Sequence, residues 1–246
     1  MKSIKILVLF LALNLISNCK NTSNNSEATS SIITFTEKDG KFTTEQKELI
    51  QQVVLESEKE IRTLLPTLPD SIQVSLEIVD WNLDVVGGVT GRTETNSPPV
   101  VFIQISKNYP GGVAAATHKA LKHTIFHEFH HLYRGWAIRD NKFGPGIPIA
   151  AINEGLAVVF SEEYTSAMEA DSPPEDEIAE QWVTEIMALP KNADYQQWMF
   201  QHPDGRQSIG YRTGNYLIRK AMTRSRKSVL ELSELSPDEI FQLAGH

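Results

Sequence analysis

The chain has 246 residues, 41% of them hydrophobic and 22% charged, which is enough for one domain with a sizeable core and too short to require two. Its 31 acidic and 23 basic residues give a formal charge of -8. That balance argues against a nucleic-acid partner, which needs a clustered basic face; the nearest basic run is Arg224-Ser225-Arg226-Lys227. A single cysteine, Cys19, excludes an intramolecular disulfide, so stability has to come from core packing, with or without a metal.

The first element, residues 1–18, carries Lys2 and Lys5 and then an apolar run from Ile6 to Leu13 that continues through Leu15 and Ile16. The run is too short for a comfortable transmembrane helix. From Cys19 the chain reads KNTSNNSEATSS, polar and of low complexity, and residues 19–34 are expected to form a flexible tether because they cannot bury enough apolar surface to order. Together these features resemble a bacterial lipoprotein signal cut before the cysteine, with Asn18 where Gly, Ala or Ser is usual. The resemblance implies a lipid on Cys19, a membrane partner reached through it, and a place in the bacterial cell envelope, at the outer membrane or periplasmic face. Without the lipid the chain would be secreted. Loss of residues 1–18 removes two lysines and no acid, leaving a charge of -10 that holds the body off anionic lipid.

Residues 35–246 are expected to form one domain. In residues 43–65, Leu49, Ile50, Val53, Val54, Ile61, Leu64 and Leu65 recur at helical spacing, and PTLPD ends the run. SIQVSLEIVD at 71–80 alternates Ile72, Val74, Leu76 and Ile78 with polar residues, as a half-buried strand does. VVGGVTGRT reads as a short strand or a glycine-rich turn, and PVVFIQIS at 99–106 as a second apolar strand. The expected class is α+β, a small N-terminal sheet packed on a helix and followed by a mostly helical half.

That helix holds LKHTIFHEFHHLYRGW, residues 121–136, where four of the chain's seven histidines fall within nine positions. From Thr117 to about Arg134 there is no Pro or Gly, and Ala120, Leu121, Ile125, Phe126, Phe129 and Leu132 mark an apolar helix face. Residues four apart lie on nearly one face, about 6 Å apart along the axis. His127 and His131 stand in that relation with Glu128 beside the first, the H-E-x-x-H arrangement in which two imidazoles hold Zn2+ and the glutamate acts as general base. His123 and His130 read as hydrogen-bonded neighbours and His118 as solvent-facing.

Two imidazoles leave zinc short of a protein ligand. After a Gly- and Pro-rich loop, Pro148 marks a helix start, and Ala150 to Met168 continues with helical spacing. Glu154 lies in its early turns, flanked by Ile152 and Leu156, and could reach the metal if this helix packs antiparallel to the first; Glu162 and Glu163 are the fallback candidates. A third segment, residues 209–222, reads as a helix. Tyr211 and Tyr216 lie five apart on it, about 140° around the axis, so they cannot both face one site. Tyr211 is the candidate oxyanion donor, with His202, Arg206 and Tyr216 as alternatives.

HEFHH followed by NEGLA resembles the gluzincin type of zinc metallopeptidase. HEFHHLYRGW, NEGLAVVF and GYRTGNYLI, in that order, resemble a bacterial family of predicted zinc-dependent proteases known as a domain of unknown function, over roughly residues 70–225. The resemblance implies a zincin-like fold, zinc ligands His127, His131 and Glu154, Glu128 as general base, and a peptide or protein substrate. Two other readings stay open: a surface-binding lipoprotein with a structural or vestigial zinc site, and a zinc hydrolase of non-peptide substrates.

Overall fold

The computed structural model describes residues 31–38, 40–165 and 169–246. The expected signal, Cys19 and the tether up to residue 30 lie outside the described residues. Helix α1 (Thr44–Leu64) begins at a capping box in which the Thr43 hydroxyl accepts from the Gln46 amide and the Gln46 side chain accepts from the Thr43 amide. Its apolar stripe, Ile50, Val54 and Ile61, is fully buried. Strands β1 (Ile32–Thr36), β2 (Gln73–Val79), β3 (Val89–Asn96) and β4 (Pro99–Ser106) form one sheet in the order β1-β2-β4-β3. The first two pairings are parallel, and β3 runs antiparallel to β4 along one edge.

Alternation puts Val74, Leu76, Val101, Ile103 and Ile105 on one face of the sheet, each without exposed surface. Against that face lie α1 and a long helical stretch: α2 (Gly112–Ala116), a π turn at Thr117–Leu121, and α3 (Lys122–Arg134). The helix therefore begins at Gly112, five residues before its expected start. Gly135, at φ +73°, closes α3 in the left-handed conformation that favours glycine.

The C-terminal half consists of α4 (Ile147–Tyr164), α5 (Asp176–Met187), α6 (Tyr195–Met199), α7 (Ile209–Ser225), α8 (Val229–Leu232) and α9 (Pro237–Ala244). Helix α4 is buried nearly all round, with α3 and α7 among its neighbours. It meets α7 at two glycines: a Cβ on Gly155 would stand 2.3 Å from the Gly214 carbonyl carbon, and one on Gly214 would stand 1.9 Å from the Ala151 oxygen. The glycines of NEGLA and RTGNY are thus the contact that lets α4 and α7 touch backbone to backbone. Among the described residues no helix is long and apolar enough to cross a membrane.

The class is α+β, a mixed sheet followed by a mostly helical half, as expected. Residues 32–34, expected as the end of the tether, instead open edge strand β1. Five main-chain pairings with β2 and the bond from the Ser31 amide to buried Glu58, 2.8 Å, hold that segment where its own composition does not. The helix expected to reach Met168 ends at Tyr164.

Candidate metal centre

Helices α3 and α4 bring the separated motifs to one point. His127 and His131 project from successive turns of α3, their rings perpendicular with centroids 4.6 Å apart. Glu154, near the middle of α4, meets both: its Oε2 lies 3.2 Å from His127 Nε2 and 3.0 Å from His131 Nε2, and the two nitrogens are 3.0 Å apart. Protons alone satisfy at most two edges of this triangle, because each neutral imidazole offers one N–H and the carboxylate only accepts. A cation between the three atoms satisfies all of them. Tetrahedral zinc with ligand bonds of about 2.0–2.1 Å spaces its donors about 3.3 Å apart, close to the observed triangle. The donor set thus fits a metal ion: these are the three residues that could hold one among the described residues.

The other oxygen of Glu154 is held separately. The Trp136 indole N–H donates to Oε1 at 2.9 Å, and the Tyr195 hydroxyl approaches the same oxygen at 3.4 Å. Burial pushes the Glu154 carboxyl up, but His131 and then His127 outweigh it and hold the group well below the usual carboxylate range. It is therefore an anion at neutral pH.

Glu128 lies on the sheet side of α3, against β3. The Thr93 hydroxyl stands 2.9 Å from both its Oε2 and its backbone carbonyl. Room for the side chain exists because β3 has a glycine opposite: a Cβ on Gly91 would come within 2.7 Å of Glu128 Cγ. Burial pushes the Glu128 carboxyl up to about 7, with Glu154 adding and His127 and Thr93 opposing. A carboxyl near that value matches the task of a base at neutral pH, and a divalent cation on the three ligands would draw it lower.

The triad, Glu128 and Tyr211 all line one cleft of about 650 Å³, within the usual size of ligand sites. The Tyr211 ring lies 6.4 Å from that of His127, and burial raises its hydroxyl pKa well above the ordinary value, so it stays a donor. The alternatives go elsewhere. Tyr216 donates to Glu180, His202 pairs with Asp204 at 2.9 Å, and Arg206 bridges Asp204 and Glu185. Glu162 pairs with Arg219 at 2.6 Å, on the α7 side. His118 is exposed and His123 and His130 are buried hydrogen-bonding groups, as expected. Sequence reasoning missed Trp136, Tyr195, Thr93 and Gly91. Trp136 closes the quoted HEFHHLYRGW and Gly91 stands in the quoted glycine-rich run, whereas Tyr195 follows Asp194 in a segment with no periodic signal.

The model of the family described as "Predicted Zn-dependent protease (DUF2268)" matches residues 100–242, from β4 almost to the end of α9. No curated protein and no solved structure matches the chain.

Proposed function

With the chain a member of the predicted Zn-dependent protease family DUF2268, we propose that it hydrolyses peptide bonds, with zinc held by His127, His131 and Glu154 and Glu128 as general base. The observation that carries this reading is the triangle of Nε2, Nε2 and Oε2 with edges of 3.0–3.2 Å, lined up in one cleft with a buried carboxyl of raised pKa. Zinc on these residues supplies Lewis acidity, polarising a carbonyl and lowering the pKa of water.

The chain's own groups do the rest. Glu128, oriented by Thr93, accepts the proton of the attacking water and returns it to the leaving amine. The Tyr211 hydroxyl, kept protonated by burial, donates to the oxyanion of the tetrahedral intermediate. The outer edge of β3 favours an extended peptide over a compact substrate. Ile138 and Arg139 amides take the Thr93 and Glu94 carbonyls, while Thr90, Gly91 and Arg92 line the cleft next to Glu128. We place the enzyme in the bacterial envelope through a lipid on Cys19, and a Cys19→Ser chain should move from the membrane to the soluble fraction.

The test separates ligands from base. His131→Ala and Glu154→Ala should lose stoichiometric zinc, whereas Glu128→Gln should keep zinc and lose turnover. Tyr211→Phe should also keep zinc, with kcat reduced by roughly 10- to 1000-fold. Full zinc occupancy in Glu154→Ala removes that residue from the site, and unchanged turnover in Glu128→Gln favours a binding protein over an enzyme.

A further inference from the structure

The mouth of the cleft is apolar where a solvated surface is usually polar. Ile138, Tyr195 and Phe200 are 63%, 40% and 45% exposed, and all three line the cleft. They are continuous with the metal centre. The Tyr195 ring lies 6.1 Å from that of Phe200, Phe200 5.8 Å from Tyr211, and Tyr211 6.4 Å from His127. An aromatic wall therefore runs from the rim to a metal ligand, so an apolar side chain packed on it lies next to the reacting carbonyl.

Charge in the cleft is balanced where that of the body is acidic. In a chain with 31 acidic residues, the only carboxylates lining the cleft among the described residues are Glu128 and Glu154, both committed to the site. The cations lining it are Arg92, which pairs with Glu94 at 3.2 Å, and Lys191, an exposed residue with no ion pair among the described residues. A basic peptide side chain would find no spare carboxylate there, and an acidic one would find Lys191.

Resting on the peptidase reading, we propose that the cleft selects peptides with a bulky apolar side chain beside the scissile bond and an acidic, not a basic, residue nearby. Phe200 recognises the first and Lys191 the second. The class follows from burial of exposed aromatic surface and from charge complementarity.

The experiment uses the zinc-loaded full chain and matched fluorogenic peptides that differ at one position beside the scissile bond, Phe against Ala, or at one flanking position, Glu against Lys. Wild type should favour Phe over Ala and Glu over Lys by at least about 10-fold in kcat/KM. Phe200→Ala should shrink the first ratio several-fold and leave the second, and Lys191→Glu should invert the second and leave the first. Equal kcat/KM within either wild-type pair overturns the inference. Binding of the same peptides to Glu128→Gln, followed by fluorescence anisotropy, keeps the two readings apart. No cleavage by wild type together with selective binding sinks the peptidase reading and supports the selectivity; no cleavage and unselective binding sinks both.

Discussion

Helix α3 carries two sets of buried polar side chains that the fold completes in different ways. Arg134 is 3% exposed, and its guanidinium donates to Asn153 Oδ1 at 3.2 and 3.3 Å and to the Ser233 and Leu235 carbonyls at 2.6 and 2.7 Å. His130 Nε2 lies 2.8 Å from the Ser233 hydroxyl, which itself donates to the Val229 carbonyl, so the ring carries its proton on Nε2. Burial, with His131 and Arg134 nearby, holds His130 well below its ordinary pKa and neutral. In this set the four Arg134 bonds and the His130 bond each run from a donor to a protein acceptor. His127 and His131 instead meet one carboxylate oxygen and each other, a triangle in which protons satisfy at most two of the three contacts. A buried histidine is structural when one neighbour takes its single proton, and a ligand when its nitrogen faces more contacts than protons can satisfy.

The largest expected effect breaks the first set. Arg134→Met keeps much of the side-chain volume but leaves Asn153 Oδ1 and two carbonyls without donors, and should cost about 3–5 kcal/mol in urea unfolding. His131→Ala in zinc-free protein removes one corner of that triangle and should cost less than half as much. Equal losses would erase the distinction between the sets.

Next is the contact that brings Glu154 to α3. In Gly214→Ala the new methyl meets the Ala151 oxygen, which belongs to backbone and cannot swing aside. The helices must separate, at about 1–3 kcal/mol or somewhat more, and Glu154 moves with α4. Lower stability and weaker zinc binding should appear together; a loss of stability with unchanged affinity would show that the metal centre does not depend on how α4 seats.

What was legible in the sequence follows the same division. His127, Glu128 and His131 share one helix, so their spacing fixes their relation, and Glu154 could be anticipated because α4 announces itself by Pro148 and an apolar run. The strands β2 and β4 were legible from alternation and bounding prolines. Hidden were the features that depend on partners distant in sequence. Strand β1 is polar at alternate positions and is ordered by pairing with β2, 41 positions away at Ile32↔Gln73. Tyr195 reaches Glu154 from across 41 residues, and no local pattern distinguishes it from a surface tyrosine.

Trp136 sharpens the comparison, because it gives Glu154 Oε1 a donor of its own, outside the triangle. Trp136→Phe keeps an aromatic ring there and loses the N–H, leaving Oε1 only the Tyr195 hydroxyl at 3.4 Å, a distance at which hydrogen bonds are weak. Zinc affinity measured by chelator competition should fall by about 10- to 100-fold, the usual cost of losing a group that orients a ligand, and Tyr195→Phe should cost less. An unchanged affinity in Trp136→Phe would mean that the two histidines alone set the carboxylate's position.

The smallest effect concerns Asp171, which ends the short turn Glu169–Asp171 and lies near enough to His127 and Glu154 to feel both charges. Burial pushes its carboxyl up to about 6; Glu162 and Glu154 add to this, and His127 and Arg212 oppose it. Arg212 gives little relief because its Nε is spent on the Ser172 carbonyl at 2.8 Å. The folded value lies above the unfolded one near 3.9, so the folded chain holds this proton longer. Between about pH 4 and pH 6 the native state binds more protons than the unfolded state, so this group's contribution, complete below about pH 4, is lost as pH rises through 6. Asp171→Asn keeps the shape and removes the titration. The stability difference between the zinc-free variant and zinc-free wild type, read from urea midpoints at pH 4, 5 and 7.5, should therefore shift in the variant's favour between pH 4 and 7.5. Because the other carboxylates titrate alike in both proteins, they cancel from that difference, and a difference that stays constant with pH would show that folding does not raise the Asp171 carboxyl.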